Sequence, residues 1–249
     1  MDEIGERIIA FALEGSTVAP GPDFPLAKFS SALYILLGYL SFVLIGSLVP
    51  HPSLKLYHLR FGYNLTQMMV CSYMCIEAVM IAVRNNYSLV CNSYTNPSPL
   101  ADLLWFFYLS KILDFCDTFF IILGNKWNQL SFLHVYHHST IFLIYWLNLQ
   151  TNYGGDVYLT IVLNGTIHAI MYTYYFVSMH TSDIWWKKYL TTAQLIQFNS
   201  MNAQAIYLLC TSCSDSPPRV TKFYLAYIAS LFALFLHFYI HSYTKKKTP

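Results

Sequence analysis

His134, His137 and His138 stand together in LSFLHVYHHSTIFLIYWLNL (130–149), a run otherwise apolar enough to cross a bilayer. Spaced i, i+3, i+4, they share one face of a helix. Lys111, Asp114 and Thr118 make a second face at i, i+3, i+7 in LADLLWFFYLSKILDFCDTFFIIL, where Asp117 is a further carboxylate. Asn164 and His168, four apart, make a third, which continues through Met171, Tyr172 and Tyr175; Gln194 and Gln197 make a fourth. Ionisable groups at membrane depth are costly and mark functional sites by default. Two chemistries suit this set. Clustered imidazoles can ligate a metal. Alternatively, a neutral imidazole attacks a thioester, a second moves protons, and amide or hydroxyl donors stabilise an enolate or oxyanion. In that case Asp114 and Asp117 can orient imidazoles and fix their tautomers. Blander uses exist for some members. Lys111 and Asp114 can simply neutralise each other, an aromatic stripe is more often packing, and Asn199, Asn202 and Gln204 suit interhelical hydrogen bonding.

The elements that hold these groups must face lipid. The chain is 56% hydrophobic and only 10% charged, with a mean hydropathy of +0.43, whereas soluble domains carry about a quarter charged residues. A spanning helix needs roughly 20 apolar residues, and windows of that kind lie near 29–49, 63–83, 100–123, 130–150, 157–178, 188–210 and 221–243. The expectation is an all-α membrane protein: one domain over 1–249, a bundle of seven transmembrane helices, an N-terminal tail over 1–28 and a C-terminal tail over 244–249. Ile4 to Leu13 carries a weak amphipathic pattern. Asp2, Glu3, Glu6, Glu14 and Asp23 fill the N-terminal stretch, which argues against a cleaved signal peptide.

Loop charge sets the orientation. One set of alternate loops holds Lys55, Arg60, Lys126, Lys187, Lys188, Lys245, Lys246 and Lys247; the other holds Arg7, Lys28, Arg84, Arg219 and Lys222. The richer set belongs in the cytosol, which puts the N-terminus on the lumenal side and the C-terminus in the cytosol. Lys246 and Lys247 occupy the positions of a dilysine retrieval signal for the endoplasmic reticulum. Cys91 and Cys213 then fall in oxidising loops and are a disulfide candidate. Asn86 begins a glycosylation sequon, NYS, in a non-cytosolic loop.

With spans three and five running toward the cytosol and spans four and six starting from it, the four polar faces meet at similar depth. They form a buried chamber in the cytosolic half, with Lys126, Lys187 and Lys188 at its mouth. A substrate with a phosphorylated head and a long apolar tail suits it, as acyl-CoA does; nothing in the composition points to nucleic acid.

HVYHH also matches the HxxHH box of membrane di-iron desaturases and hydroxylases. Those need histidine ligands from several boxes. Of the nine histidines here, His51, His58, His180, His237 and His241 stand alone, so the metal reading lacks ligands. A seven-span receptor gives no reason for the box. A transporter would set its polar groups at the midplane between repeats or broken helices, and no repeat appears.

The chain resembles the ELO family of fatty-acid elongases, the membrane 3-ketoacyl-CoA synthases. KILDFCDT (111–118) looks like its KxxExxDT, HVYHH (134–138) is its histidine box, NGTIHAIMYTYY (164–175) fits NxxxHxxMYxYY, and TTAQLIQF (191–198) fits TxxQxxQF. Asp114 departs from the pattern, one methylene shorter than the family glutamate. The resemblance implies condensation of a long-chain acyl-CoA with malonyl-CoA, with no bound cofactor or metal and with membrane lipid around the fold. It implies an acyl group carried first on a box histidine, for which His137, the middle one, is the choice. His168 and Asn164 then position the malonyl unit, with His134, His138, Asp114 and Asp117 in support. Lys111, Thr118, Met171, Tyr172, Tyr175, Gln194 and Gln197 complete the substrate site. An acyl-chain tunnel running toward the lumenal half would limit chain length. QLSFLHVYHHS, with Gln129 five residues before His134, resembles the polyunsaturated-acyl branch. By analogy, the partners are the reductases and dehydratase of the elongation cycle; a homodimer is open. The rival nucleophile is Cys116, at the right height but turned from Lys111 and Asp114 on the helix wheel.

Overall fold

The computed structural model describes residues 1–151 and 154–244; Lys246 and Lys247 lie outside them. All regular structure among the described residues is helical. In order these are α1 (Asp2–Leu13), α2 (Phe29–Leu48), α3 (Tyr57–Arg84), α4 (Ala101–Leu123), α5 (Phe132–Thr151), α6 (Val157–Val177), α7 (Lys187–Thr211) and α8 (Pro218–Tyr239). A 3₁₀ turn at Trp127–Gln129 precedes α5, and a π-helical turn at Ile240–Thr244 follows α8.

Helices α2 to α8 fall on the seven expected windows, and α1 on the amphipathic segment. The largest boundary difference is at α3, which begins at Tyr57 rather than near 63. Its first turns hold Tyr57, His58 and Arg60, so hydropathy fades while helix continues. Its 28 residues run about 42 Å at 1.5 Å per residue, longer than a hydrocarbon core of about 30 Å. Among the described residues, three segments are long and apolar enough to cross a membrane: Phe29–Leu48, Tyr57–Arg84 and Pro218–Tyr243. Helices α4 to α7 are 23, 20, 21 and 25 residues long, but they carry the polar faces of the site, which dilutes their apolar character.

Six of the seven long helices close into a ring. Contacts run from α3 to α6, α7, α8, α5, α4 and back to α3, while α2 packs against α4 and α5. The α3–α6 contact is close because Gly165 lies against α3: a Cβ there would meet the Cys71 carbonyl oxygen at 3.0 Å and the Cys75 Cβ at 3.2 Å. The apolar interior is aromatic-rich, with Phe107, Tyr108, Phe142, Tyr145 and Tyr172 fully buried.

Residues 1–28, expected as a tail, are docked on one end of the ring. Helix α1 lies against α2, α5 and α8. The irregular segment after it has carbonyls left over by its own turns, and helix side chains donate to several of them. Trp105 Nε1 donates to the Pro25 oxygen at 3.0 Å and Tyr108 to Leu26 at 3.0 Å. Trp146 and Gln150 both donate to Ala27, at 2.9 and 3.1 Å. Asp2 accepts from the Ser30 N–H at 2.8 Å in the first turn of α2, and hydrogen bonding to Ser30, through its side chain first and its backbone second, holds the Asp2 carboxyl below the usual aspartate value. Arg219 pairs with Glu14. At the same end Cys91 and Cys213 form the expected disulfide, with Cα atoms 5.2 Å apart. Asp156 ties both loops to α6, accepting from Asn92 N and Nδ2 at 3.0 Å each and from Ser214.

Candidate active site

Helix α4 supplies the spine of the site. Its i, i+3, i+7 face buries Lys111, Asp114 and Thr118 almost completely. Lys111 Nζ lies 3.3 Å from Asp114 Oδ2 and donates to Asn164 Oδ1 on α6 at 3.1 Å; it also sits 4.3 Å over the Phe107 ring. The salt bridge expected as the bland reading is therefore present, and it reaches further, to the asparagine beside His168. One turn on, Thr118 Oγ1 hydrogen-bonds His134 Nε2 at 2.8 Å and the Tyr39 hydroxyl of α2 at 3.1 Å.

The carboxylates do not orient imidazoles as expected. Among the described residues, the side chains that hydrogen-bond these carboxylates are lysine, glutamine and tyrosine rather than histidine. Asp114 is occupied by Lys111 and by Gln67 Nε2 of α3, at 2.8 Å. Asp117 accepts from the Tyr172 hydroxyl at 2.8 Å, a hydroxyl that also lies 3.2 Å from Asp114. Aspartate is short, so each carboxylate serves its nearest donor, and the longer reach to the histidine box falls to the Thr118 hydroxyl.

The histidine box packs as a unit. The ring centroids of His134 and His138 are 4.3 Å apart, and those of His137 and His138 5.6 Å. His137 meets the edge of Phe235 on α8 at 6.0 Å. On α6, His168 lies 6.1 Å from the Tyr172 ring, and Tyr172 lies 5.8 Å from Tyr175. His137 Nδ1 and His168 Nδ1 are both buried without a protein partner. A buried polar atom left unpaired costs free energy and calls for an explanation in function. One of these nitrogens comes from α5 and the other from α6.

Other expected members stand apart. Gln197 is buried, but its amide donates to Met201 Sδ at 3.5 Å; Gln194 and Met171 are half-buried. Of the amides assigned to interhelical bonding, Gln204 ties α7 to the Asp156 carbonyl at 3.0 Å, Asn199 is exposed, and Asn202 keeps an unpaired buried oxygen. Gln129 is exposed in the 3₁₀ turn, outside the polar cluster. At the end of the ring opposite the disulfide, Lys187 and Lys188 are exposed and Lys126 is half-buried. Burial and the neighbouring Arg60 lower the Lys126 ammonium below the usual lysine value. Among the described residues, no three His, Cys, Asp or Glu side chains are grouped to hold a metal ion.

Gln67 and Tyr63 of α3, and Tyr39 of α2, are site residues that sequence reasoning passed over. The signal was available: Tyr63, Asn64 and Gln67 cluster polar groups in the first half of the second apolar window. Toward the disulfide end the ring interior carries paired hydroxyls, Tyr136 with Ser230 at 2.9 Å, Thr140 with Tyr227 at 3.2 Å and Thr160 with Tyr224 at 3.0 Å. Beyond them lies a cavity of about 30 Å³ touching Asn148, Thr160, Gln204 and Tyr224.

A histidine-lined polar cluster inside a ring of apolar helices marks a membrane enzyme site, and comparison gives its kind. Residues 24–249 match the ELO family, also described as the GNS1/SUR4 family. The chain is 35% identical over 233 residues to very long chain fatty acid elongase 2 of Mus musculus, covering 90% of this chain and 79% of that protein. It is 37% identical over 196 residues to very long chain fatty acid elongase 4 of Homo sapiens, covering 75% and 62%. With very long chain fatty acid elongase 5 of Rattus norvegicus it shares 36% over 197 residues, covering 74% and 64%. The chain belongs to the ELO family.

Proposed function

We propose that the protein condenses a long-chain acyl-CoA with malonyl-CoA. The acyl carbonyl passes from the CoA sulfur to a nitrogen of His137, releasing CoA as its thiol. Malonyl-CoA loses CO₂, and the resulting enolate carbon attacks the acyl carbonyl. The imidazole leaves, and the product is a 3-ketoacyl-CoA two carbons longer. The observation that carries this reading is the pair of buried, unpartnered nitrogens on His137 and His168. Each is a polar atom that a substrate carbonyl or reacting centre can engage. Asn164, held by Lys111, and His168 receive the malonyl thioester, where amide and imidazole donors stabilise the enolate. His134, His138, Asp114 and Asp117 keep the surroundings fixed, and Thr118, Met171, Tyr172, Tyr175, Gln194 and Gln197 line the substrate's path. The cations Lys126, Lys187 and Lys188 meet the CoA phosphates.

In this reading seven helices, α2 to α8, span the membrane, and the interior of the six-helix ring is the acyl tunnel. It runs from the histidine box toward the cavity near Asn148. The ring order supports it. The N-terminus and the disulfide lie in the lumen and the cationic end in the cytosol. Lys246 and Lys247 retain the protein in the endoplasmic reticulum, where the reductases and dehydratase of the cycle act on its product. The whole chain 1–249 is one elongase domain. The QLSFLHVYHHS sequence supports a C18–C20 polyunsaturated acyl substrate, with Gln129 part of that signature. The test is microsomal expression with labelled malonyl-CoA and a panel of acyl-CoAs. Wild type is expected to extend at least one acyl-CoA and His137→Ala none. Absence of extension with every acyl-CoA by well-expressed wild type would refute the reading.

A further inference from the structure

Where α3, α4 and α6 meet, the protons can be counted. Asp114 Oδ1 lies 2.8 Å from Gln67 Nε2 and 3.2 Å from the Tyr172 hydroxyl. That hydroxyl lies closer to Asp117 Oδ2, at 2.8 Å. A phenol has one proton to donate. With that proton on Asp117, Gln67 is the donor left for Asp114 Oδ1. Asp114 Oδ2 is served by Lys111, which also holds Asn164. The second Gln67 N–H meets the Tyr63 or Tyr172 oxygen, each at 3.0 Å. Its own carbonyl, Oε1, is buried with no partner. An apolar side chain would fill the same space without burying an unsatisfied oxygen, so packing does not account for an amide here. Its N–H groups do. They come to the one position, Asp114, where this chain has a side chain a methylene shorter than the family motif.

We infer that Gln67 is a positioning residue for the condensation. Its amide supplies the donor and the reach that the shortened Asp114 lacks, and it leaves the Tyr172 proton for Asp117. Through Asp114 it fixes Lys111 and Asn164 beside His168. Without Gln67 the Tyr172 hydroxyl turns to Asp114, Asp117 loses that 2.8 Å donor, and Lys111 is drawn off Asn164. The inference rests on the elongase reading.

The test uses the full chain, purified, with elongation rates and melting temperatures measured together. Gln67→Met keeps volume and removes the N–H groups. It is expected to lower kcat roughly 10- to 100-fold, the equivalent of one hydrogen bond to a charged group, at a temperature where the variant is still folded. Asp114→Glu alone is expected to lose rate as well, because its added methylene drives the carboxylate into the amide. Gln67→Ala is measured alone and combined with Asp114→Glu, where the longer acid gains the space the amide vacated. That double variant is expected to exceed the product of the two single losses by at least about tenfold. Three outcomes overturn the inference: Gln67→Met with wild-type kcat, a double variant at the product of its singles, or rates that merely follow melting temperature in every variant. If wild type extends no acyl-CoA, the elongase reading itself fails and this role fails with it; active wild type separates the two cases.

Discussion

Replacing Lys111 with methionine should strand a carboxylate. Lys111 and Asp114 are 2% and 3% exposed and 3.3 Å apart. Removing one partner of a buried ion pair typically costs about 3–5 kcal/mol, because the other charge stays desolvated and uncompensated. For a chain of this size each kcal/mol shifts the melting temperature by about 2–4 °C, so a loss on the order of 10 °C is expected. The Gln67 amide remains on Asp114 Oδ1 and softens the penalty toward the lower bound. Replacing both partners with apolar residues, Lys111→Met with Asp114→Leu, removes both desolvation terms, and stability should return to near wild type. Activity should not. Asn164 has lost its 3.1 Å donor and Tyr172 one of its acceptors, and losing preorganised polar groups of this kind costs about 100-fold or more. Thermal unfolding in detergent and labelled-malonyl incorporation, run on the same preparations, separate the two effects. Recovery of rate in the double variant would refute the reasoning, since the pair would then be only structural. So would an unchanged melting temperature for Lys111→Met.

Thr118→Val removes the hydroxyl between His134 and Tyr39 while keeping shape; elongation should fall by about tenfold, the size of a hydrogen bond or two, and Thr118→Ser should restore most of it in the same assay. Cys116→Ser should retain near wild-type activity in microsomes, and its loss with normal expression would favour a thiol nucleophile. Along α5 the step from His137 to Asn148 is about 16 Å, and Thr160 lines the cavity at that depth. Thr160→Trp should therefore shift the longest product, measured by chromatography of the acyl chains, to shorter lengths while short acceptors are still extended.

Much of this was legible in residue order. Apolar windows located the long helices because a lipid-facing helix leaves little choice of residue. Helical spacing placed Lys111, Asp114 and Thr118 on one face, and Asn164 with His168 on another, and the structure joins those faces through Lys111. Spacing alone could not say which partner each side chain takes. Asp114 and Asp117 were expected to face imidazoles, yet nearer donors from Gln67 and Tyr172 claim them. Gln67 carries no motif and no ionisable group, so its role shows only once Asp114, Tyr63 and Tyr172 are placed around it. The docking of residues 1–28 was illegible for a similar reason. It depends on Trp105, Trp146 and Gln150 offering donors to backbone carbonyls far away in sequence. Gln129 carries a resemblance but no contact with the polar cluster, since the 3₁₀ turn it occupies faces outward.

The central claim is that acyl chains pass through His137. Purified protein, mixed with an acyl-CoA it elongates but without malonyl-CoA, should release CoA in a burst approaching one equivalent per chain. Rapid quenching and peptide mass analysis should find the acyl group on His137, and both signals should vanish in His137→Ala. An acyl group mapped to Cys116, or full elongation by the enzyme with neither a burst nor an adduct, would contradict the account.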